Sequence, residues 1–215
     1  MKTGTALWIF AIAAFATILI IPDSRTLFIA MTKGHPYIMG FIKFAILATM
    51  GELLAIRIAK GEWGVPKGIG YKMFVWGLIG MLITLVFQIF ASGVTSAMAR
   101  GYLPGVDNKL LFAFFTATIM NVTFAPSFMA FHRFTDTYID LSSSKEKNIK
   151  VMIVIEKIDW SGFFSFVVLK TIPLFWIPAH TITFLLQAEY RVIMAAFLSI
   201  ALGAILSFAK KKSMK

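Results

Sequence analysis

Ionisable and amide side chains occur inside long apolar stretches of this chain, where each polar group needs a partner. Glu52 and Lys170 are charged, and His180 lies close to two threonines in the segment WIPAHTITF, residues 176–184. A charge at mid-depth in a bilayer costs about 2.5–3.5 kcal/mol on insertion scales, so it requires a partner or water. We therefore predict a polar interior formed by Glu52, Gln88, Asn121, Lys170, His180 and Thr183.

The sequence leaves two interpretations of these polar residues open. An ion pair between Glu52 and Lys170 would fix helix register, whereas a charged lining would surround an aqueous path. Pro178 also frees a backbone carbonyl about one turn earlier, and His180 and Thr183 are candidates to satisfy it. Repair of a bent helix and lining of a pore do not exclude each other.

No catalytic arrangement is evident among these residue types. The apolar runs contain neither a Ser–His pair nor two carboxylates at helical spacing, and the three His residues are widely spaced. The chain has no cysteine, which excludes disulfides, thiol catalysis and thiolate metal sites. We expect no enzyme activity, no catalytic residue, no metal site and no cofactor.

The composition predicts the fold class that positions these residues. The chain of 215 residues is 59% hydrophobic and 14% charged, with a mean hydropathy of +0.82, whereas soluble domains carry roughly 25% charged residues. Its 22 Phe and 12 Met would leave large apolar patches on a soluble fold. Apolar runs of about 20 residues recur, which is the length of a membrane-spanning helix. We predict an all-α, polytopic transmembrane helix bundle.

Six apolar runs predict about six spans. The first is close to the lower length limit for a span. Pro126 is expected to break the fourth run, and Pro173 and Pro178 the fifth, because proline removes a helix hydrogen bond. The predicted spans are residues 5–21, 36–58, 71–99, 110–134, 160–186 and 190–209.

Basic residues are distributed unequally across this topology. Of 21 Lys and Arg, 14 lie at the termini and in or next to the second and fourth links, five lie in or next to the other links, and Lys43 and Lys170 lie farther inside spans. We interpret Lys43 as an anchor that extends to the membrane surface. The excess predicts both termini on the cytoplasmic side. The net charge of +11 then points to anionic lipid headgroups as partners, not to nucleic acid.

Small residues recur every fourth position in the last run. On a helix they form one ridge along which a second helix can approach closely. The alternative is that small residues are simply frequent in membrane helices. The residues of this predicted packing ridge are Ala195, Ser199, Gly203 and Ser207.

Short motifs follow one another in a definite order over residues 35–209. HPYIMGFIKFAILATMGE is followed by GLIG, FAPSF and WIPAHTITF, and then by Tyr190 and Arg191. In order and spacing they resemble the Mpv17/PMP22 family of small multi-pass membrane proteins of mitochondria, peroxisomes and bacteria. Glu52, His180 and Thr183 stand where the family has Asp, Gln and Asn. The landmarks are His35, Pro36, Gly51, Pro126, Trp176, Phe184 and Arg191.

The resemblance implies a multi-pass bundle that forms a weakly selective pore or supports metabolite and redox homeostasis, without catalytic activity. We therefore predict a channel or transport-related protein for ions or small metabolites. The alternative is a non-conducting structural or regulatory protein whose polar groups only fix packing. A homo-oligomer is compatible with either.

The predicted organisation has three parts. Residues 1–34 form an N-terminal span and a short amphipathic link, 35–209 the family-like bundle, and 210–215 a basic tail. An amphipathic transit peptide rich in Arg and Ser is not evident at the start of the sequence. This favours a bacterial plasma membrane over a mitochondrial inner or peroxisomal membrane.

Overall fold

A computed structural model describes residues 2–144 and 148–213, and every regular element in these ranges is helical. Five of the helices are long and apolar enough to cross a membrane, and the number is six if one pair of helices, bent at a short break, counts as a single span. The predicted all-α polytopic bundle is confirmed, and the protein is an integral membrane protein. Three basic residues of the charge count and the end of the predicted tail lie outside the described ranges: Lys145, Lys147, Lys215 and residue 214.

The helices follow the predicted runs closely, with two additions. The link after the first span is itself a helix, Pro22–Gly34, which begins with a proline in its first turn. A short helix, Val151–Lys157, precedes the fifth run. The last helix continues into the predicted basic tail. The helices are α1 (Lys2–Ile20), α2 (Pro22–Gly34), α3 (Pro36–Lys60), α4 (Ile69–Ala99), α5 (Lys109–Thr123), α6 (Ala125–Ser143), α7 (Val151–Lys157), α8 (Trp160–Gly162), a π-helix (Phe163–Trp176), α9 (Ile177–Leu185) and α10 (Ala188–Ser213).

These helices group into two units. The first contains the chain up to Ile69, Met73–Thr84 and the chain from Val192 onward. The second contains Gly70–Lys72 and Leu85–Arg191. Helices α4 and α10 therefore contribute to both units.

In the first unit, glycine allows α3 and α4 to approach closely. A Cβ atom at Gly40 would lie 2.7 Å from the carbonyl oxygen of Gly80, and a Cβ at Gly80 would overlap the Gly40 carbonyl. Real Cβ atoms do not approach backbone so closely, because the packed interior has no spare volume. The two backbones are therefore in direct contact at this level of the membrane, as small-residue seams allow.

Helix α1 is attached to the first unit by two indole hydrogen bonds. Trp8 Nε1 donates to the carbonyl of Met50 at 3.0 Å, and Trp63 Nε1 donates to the Thr5 hydroxyl at 2.9 Å. None of the apolar window of α1, Thr3–Ile20, is buried against the rest of the chain. The outward face of α1 is therefore left for lipid, as its length and hydropathy predict.

In the second unit, the fourth predicted run is broken as expected. Helices α5 and α6 meet at Phe124 with a bend of 49°. Pro126 lies in the first turn of α6, where its missing N–H costs no intrahelical bond. Asn108 caps the start of α5, and its side-chain oxygen accepts from the backbone N–H groups of Leu110 and Leu111. The prediction that Pro126 breaks this run is confirmed.

The fifth run contains a long wide helix. Residues Phe163–Trp176 form i→i+5 hydrogen bonds, with Pro173 inside the segment. Pro178 lies in the first turn of α9, where the winding returns to α. A π-helix places successive residues on different faces from an α-helix, so side-chain directions here do not follow the 3.6-residue period.

Candidate functional site

Asn121 on α5 and His180 on α9 form a buried polar contact in the second unit. Asn121 Nδ2 donates to the carbonyl of Ala117 at 2.8 Å and lies 2.9 Å from His180 Nδ1. Asn121 Oδ1 is 3.2 Å from the same ring nitrogen. Because the amide has two N–H hydrogens, it makes both shorter contacts at once when Nδ1 is the acceptor.

Aromatic rings enclose this contact on several sides. The Trp176 ring stacks on His180 with centroids 5.1 Å apart, and the Phe87 ring meets His180 edge-on at 5.6 Å. Phe184 lies 5.0 Å from Phe87 and is 1% exposed. Asn121 is fully buried and His180 is 8% exposed. The arrangement is a packed aromatic core with a hydrogen bond between two helices. Such a buried, satisfied contact specifies how the helices pack.

Thr183 belongs to the same core but makes a local bond. Its hydroxyl donates to the Ala179 carbonyl at 2.9 Å, one turn earlier on α9, and the residue is fully buried. Thr181 donates in the same way to Ile177. The threonines therefore satisfy backbone carbonyls within α9, as threonines in membrane helices often do. His180 instead makes an interhelical contact.

The other predicted interior residues are placed differently. Lys170 lies in the π-helix and is exposed, whereas the neighbouring Thr171 and Ile172 are buried. The prediction for Lys170 rests on its depth in the span, and depth does not determine the face on which a side chain lies. In a π-helix the 3.6-residue period does not determine that face either. Glu52 is partly buried on α3 in the first unit, and Gln88 is exposed on α4. Of the six, the structure brings together Asn121, His180 and Thr183.

An open groove of about 430 Å³ lies along one face of α4 in the second unit. Gln88, Ser92 and Ser96 are four residues apart and therefore share this face. Gln88 Nε2 donates to the Ser92 hydroxyl at 3.1 Å, and Thr95 donates to the Ala91 carbonyl at 2.9 Å. The lining residues are Gln88, Ala91, Ser92, Thr95, Ser96, Ala99, Phe112 and Arg191.

Arg191 supplies the positive charge of the groove. Its Nε donates to the Leu186 carbonyl at 3.1 Å and its Nη2 to the Phe184 carbonyl at 3.2 Å. These carbonyls lie at the end of α9, where the helix has no intrahelical donors for them. The guanidinium also lies over the Phe112 and Phe184 rings, at 5.7 and 5.4 Å from their centroids.

The groove was only partly visible in the sequence. The sequence predicts Gln88 in a polar interior and makes Arg191 a landmark of the family resemblance, but the proximity of the two depends on how α10 begins beside α4. The repeat of Gln88, Ser92 and Ser96 at four-residue spacing was the readable signal. Hydroxyls are common in membrane helices, so the repeat alone predicts no site.

Two lysines have roles that the sequence did not predict. Lys43 is 1% exposed rather than extended to the surface; its Nζ donates to the Thr32 hydroxyl at 2.9 Å and lies 4.4 Å from the Phe28 ring centroid. In the second unit, Lys72 is 5% exposed and contacts both Asp136 and Asp140, at 2.8 and 2.9 Å. Because those aspartates are one turn apart on α6, they lie on the same face and both form ion pairs with the Lys72 ammonium.

The predicted packing ridge on α10 lies next to α3 at one point. A Cβ at Gly51 would be 3.0 Å from Ile200 Cα, and a Cβ at Gly203 would be 3.4 Å from the Gly51 carbonyl oxygen. Ala195 is buried, while Ser199, Gly203 and Ser207 are partly buried. Gly51, a family landmark, therefore provides the space on the α3 side of this contact.

The remaining landmarks begin or end helices. His35 precedes α3, and its backbone N–H donates to the Met31 carbonyl at the end of α2, while Pro36 is the first residue of α3.

Across residues 2–144 and 148–213, no three His, Cys, Asp or Glu side chains are grouped so as to hold a metal ion.

Comparisons of the chain with protein-family models, curated proteins and solved structures find no match. The resemblance to the Mpv17/PMP22 family therefore stays a prediction that rests on the ordered motifs.

Proposed function

We propose that this integral membrane protein is transport-related and that the groove along α4 is its binding vestibule for ions or small metabolites. The observation that carries the proposal is an open recess lined by a row of exposed amide and hydroxyl side chains on a membrane span. Such a row is unfavourable against acyl chains, whereas it suits water or a polar solute.

The groove extends over about half of the membrane. From Gln88 to Ala99 it covers about 16 Å along α4, at 1.5 Å per residue, and the hydrocarbon core is about 30 Å thick. Gln88 lies just past the middle of α4, and Ala99 is its last residue. This depth supports a vestibule that is open at one membrane face, as in transporters that bind solute near the midplane.

The test is flux of small solutes and ions into proteoliposomes made with purified protein. Ser96→Phe places a ring in the groove, and we expect flux to fall by at least fivefold. Ser165→Phe adds the same ring to an exposed position on the π-helix and serves as the matched control, which should leave flux unchanged. No flux with the wild-type protein, or equal flux in all three proteins, would refute the proposal.

A second candidate, a non-conducting structural or regulatory role, is favoured by the core around His180. There Asn121, His180 and Thr183 are satisfied by one another or by backbone carbonyls, within packed aromatic rings. Under this alternative, His180→Leu lowers thermal stability and the wild-type protein shows no flux. The liposome experiment therefore separates the two functions.

We further propose membership of the Mpv17/PMP22 family and a place in a bacterial plasma membrane. Support for the family comes from the segment 176–184, in which Trp176, His180 and Phe184 belong to one core. Their four-residue spacing matches the motif on which the resemblance rests. Anionic headgroups as partners and a homo-oligomeric state stay predictions.

A further inference from the structure

We propose that the groove along α4 binds a small oxyanion, a carboxylate or a phosphate group with a single negative charge, and that Arg191 is its principal ligand. The inference rests on the proposed function only in taking this groove as the vestibule. It adds the chemical class of the occupant and the residue that selects it.

The guanidinium of Arg191 has donors left for a ligand. Of its five N–H groups, the structure gives one on Nε and one on Nη2 a carbonyl partner among the described residues. Three N–H groups remain on a side chain that lines the groove. The two carbonyl bonds and the flanking Phe112 and Phe184 rings hold the guanidinium plane in place. A planar fork held in this way matches the two oxygens of a carboxylate or phosphate.

The rest of the lining suits an anion with a small apolar part. Ser92 and Ser96 carry hydroxyls that donate to oxygen acceptors, and Gln88 is hydrogen-bonded to Ser92. Ala91, Ala99 and Phe112 supply apolar surface in the same groove. Most small-molecule sites combine an apolar wall with a few polar groups that orient the ligand.

Charge balance limits the ligand to low charge. The Glu189 carboxylate interacts electrostatically with Arg191 from two residues away on α10. It therefore cancels part of the guanidinium field at the groove. The three remaining N–H groups can bind a monoanion. Repulsion from Glu189 grows with the charge of the ligand, so the groove favours a monoanion over a polyanion.

The binding experiment uses the full chain in phosphatidylcholine nanodiscs at mildly acidic pH, where inorganic phosphate is mainly a monoanion. The protein is titrated with acetate, benzoate and inorganic phosphate. We expect saturable binding of at least one of these anions. Arg191→Gln should weaken it by about tenfold or more, since a charge-assisted hydrogen bond is lost. Arg25→Gln removes an exposed guanidinium from α2, which does not line the groove, and should leave affinity within twofold of wild type.

Arg191 also satisfies the end of α9, so its replacement risks a folding defect. Glu189→Gln leaves both carbonyl bonds of Arg191 in place and removes the opposing charge. We expect this variant to bind the anion about threefold or more tightly, which no general loss of stability would produce. Unchanged or weaker binding by a folded Glu189→Gln protein would overturn the proposal.

A lipid headgroup offers the same chemistry as a soluble anion, so a second arm uses nanodiscs that contain phosphatidylglycerol. If the soluble anion is displaced by this lipid, with loss of the effect in Arg191→Gln, the site is supported and its occupant is the headgroup. Absence of Arg191-dependent binding in both arms refutes the anion site. Arg191-dependent binding without flux supports the anion site and refutes the transport function. Flux without Arg191-dependent binding supports transport and refutes the anion site.

Discussion

Asn121 and His180 show how a buried polar contact acts at the scale of single residues. Each is surrounded by aromatic or apolar atoms, and each gives the other a hydrogen-bond partner. An unpaired polar atom in such a place costs more than its bond contributes, so the pair selects the register of α5 against α9. The aromatic stack of Trp176 on His180 adds a second orientation constraint.

This coupling leads to a prediction for a double-mutant cycle. Asn121→Leu and His180→Leu should each lower the free energy of unfolding by about 1–3 kcal/mol, because each strands the other polar side chain. The double variant should lose less than the sum of the two. Unfolding in a mixed-micelle titration with an ionic detergent, followed by circular dichroism, gives these values. Strictly additive losses would mean that the two side chains do not depend on each other.

Part of the polar core around Asn121 and His180 could be predicted from the residue types alone. Polar groups inside apolar runs need partners, which predicts interior positions for Asn121, His180 and Thr183, and the structure buries all three. The predictions for Lys43 and Lys170 were wrong: Lys43 is buried and Lys170 is exposed. The position of a charged residue along a span does not determine the helix face on which it lies. Lys43 is covered by Thr32 and Phe28 from α2, a helix in a segment that the sequence predicts to be a link.

At the scale of helices, the contact between α3 and α4 depends on the absence of side chains. Gly40 and Gly80 bring the two backbones together, and Thr84 bonds back to the Gly80 carbonyl at 2.8 Å. Such seams gain dispersion contacts along the helices, which drive helix association where lipid replaces water as solvent. Addition of one methyl group here requires the helices to separate.

We expect Gly80→Ala to lower stability by about 1–3 kcal/mol, as overpacking of a tight interior does. Gly93→Ala is the matched control on the same helix, because a Cβ there meets nothing within 4 Å. That control should be neutral or stabilising by up to about 1 kcal/mol, since alanine is the better helix former. Thermal denaturation of both purified variants measures the difference. Equal losses would show that the close approach of α3 and α4 is not limiting.

The positions of the membrane-spanning helices could be predicted well from the sequence, whereas the type of helical winding and the short helices could not. Apolar runs of about 20 residues and the prolines gave the spans and the break at Pro126. The π-helix over Phe163–Trp176 was not predicted, because a single Pro173 and an apolar composition are equally compatible with an α-helical kink. The same limit applies to α2, whose low hydrophobicity gave no span signal although its starting proline is a typical helix beginning.

For the whole molecule, basic residues set the expected orientation in the membrane. The excess of Lys and Arg at the termini and in alternate links predicts that both termini face the cytoplasm. Helices that cross the membrane five or six times follow from length and composition, and an even number is what the charge bias requires. Under this predicted orientation, the end of α4 at Ala99, and with it the proposed vestibule mouth, is expected on the external side.

Reporter fusions test this orientation. Green fluorescent protein fused to either terminus should fluoresce in a bacterial host, since it folds in the cytoplasm. Alkaline phosphatase inserted after Gly105, in the link between α4 and α5, should be active because the enzyme requires export. The same enzyme inserted at Gly64, in the link before α4, should be inactive. A dark fusion at one terminus only would indicate an odd number of spans.

The groove that ends near the middle of α4 has a consequence for the kinetics of any transport. A solute that has entered it still faces about 15 Å of hydrocarbon thickness, so each passage requires a rearrangement that exposes the other side. Uptake should then reach a maximal velocity as solute concentration rises, and a slow turnover, rather than a current limited by diffusion, would be its signature.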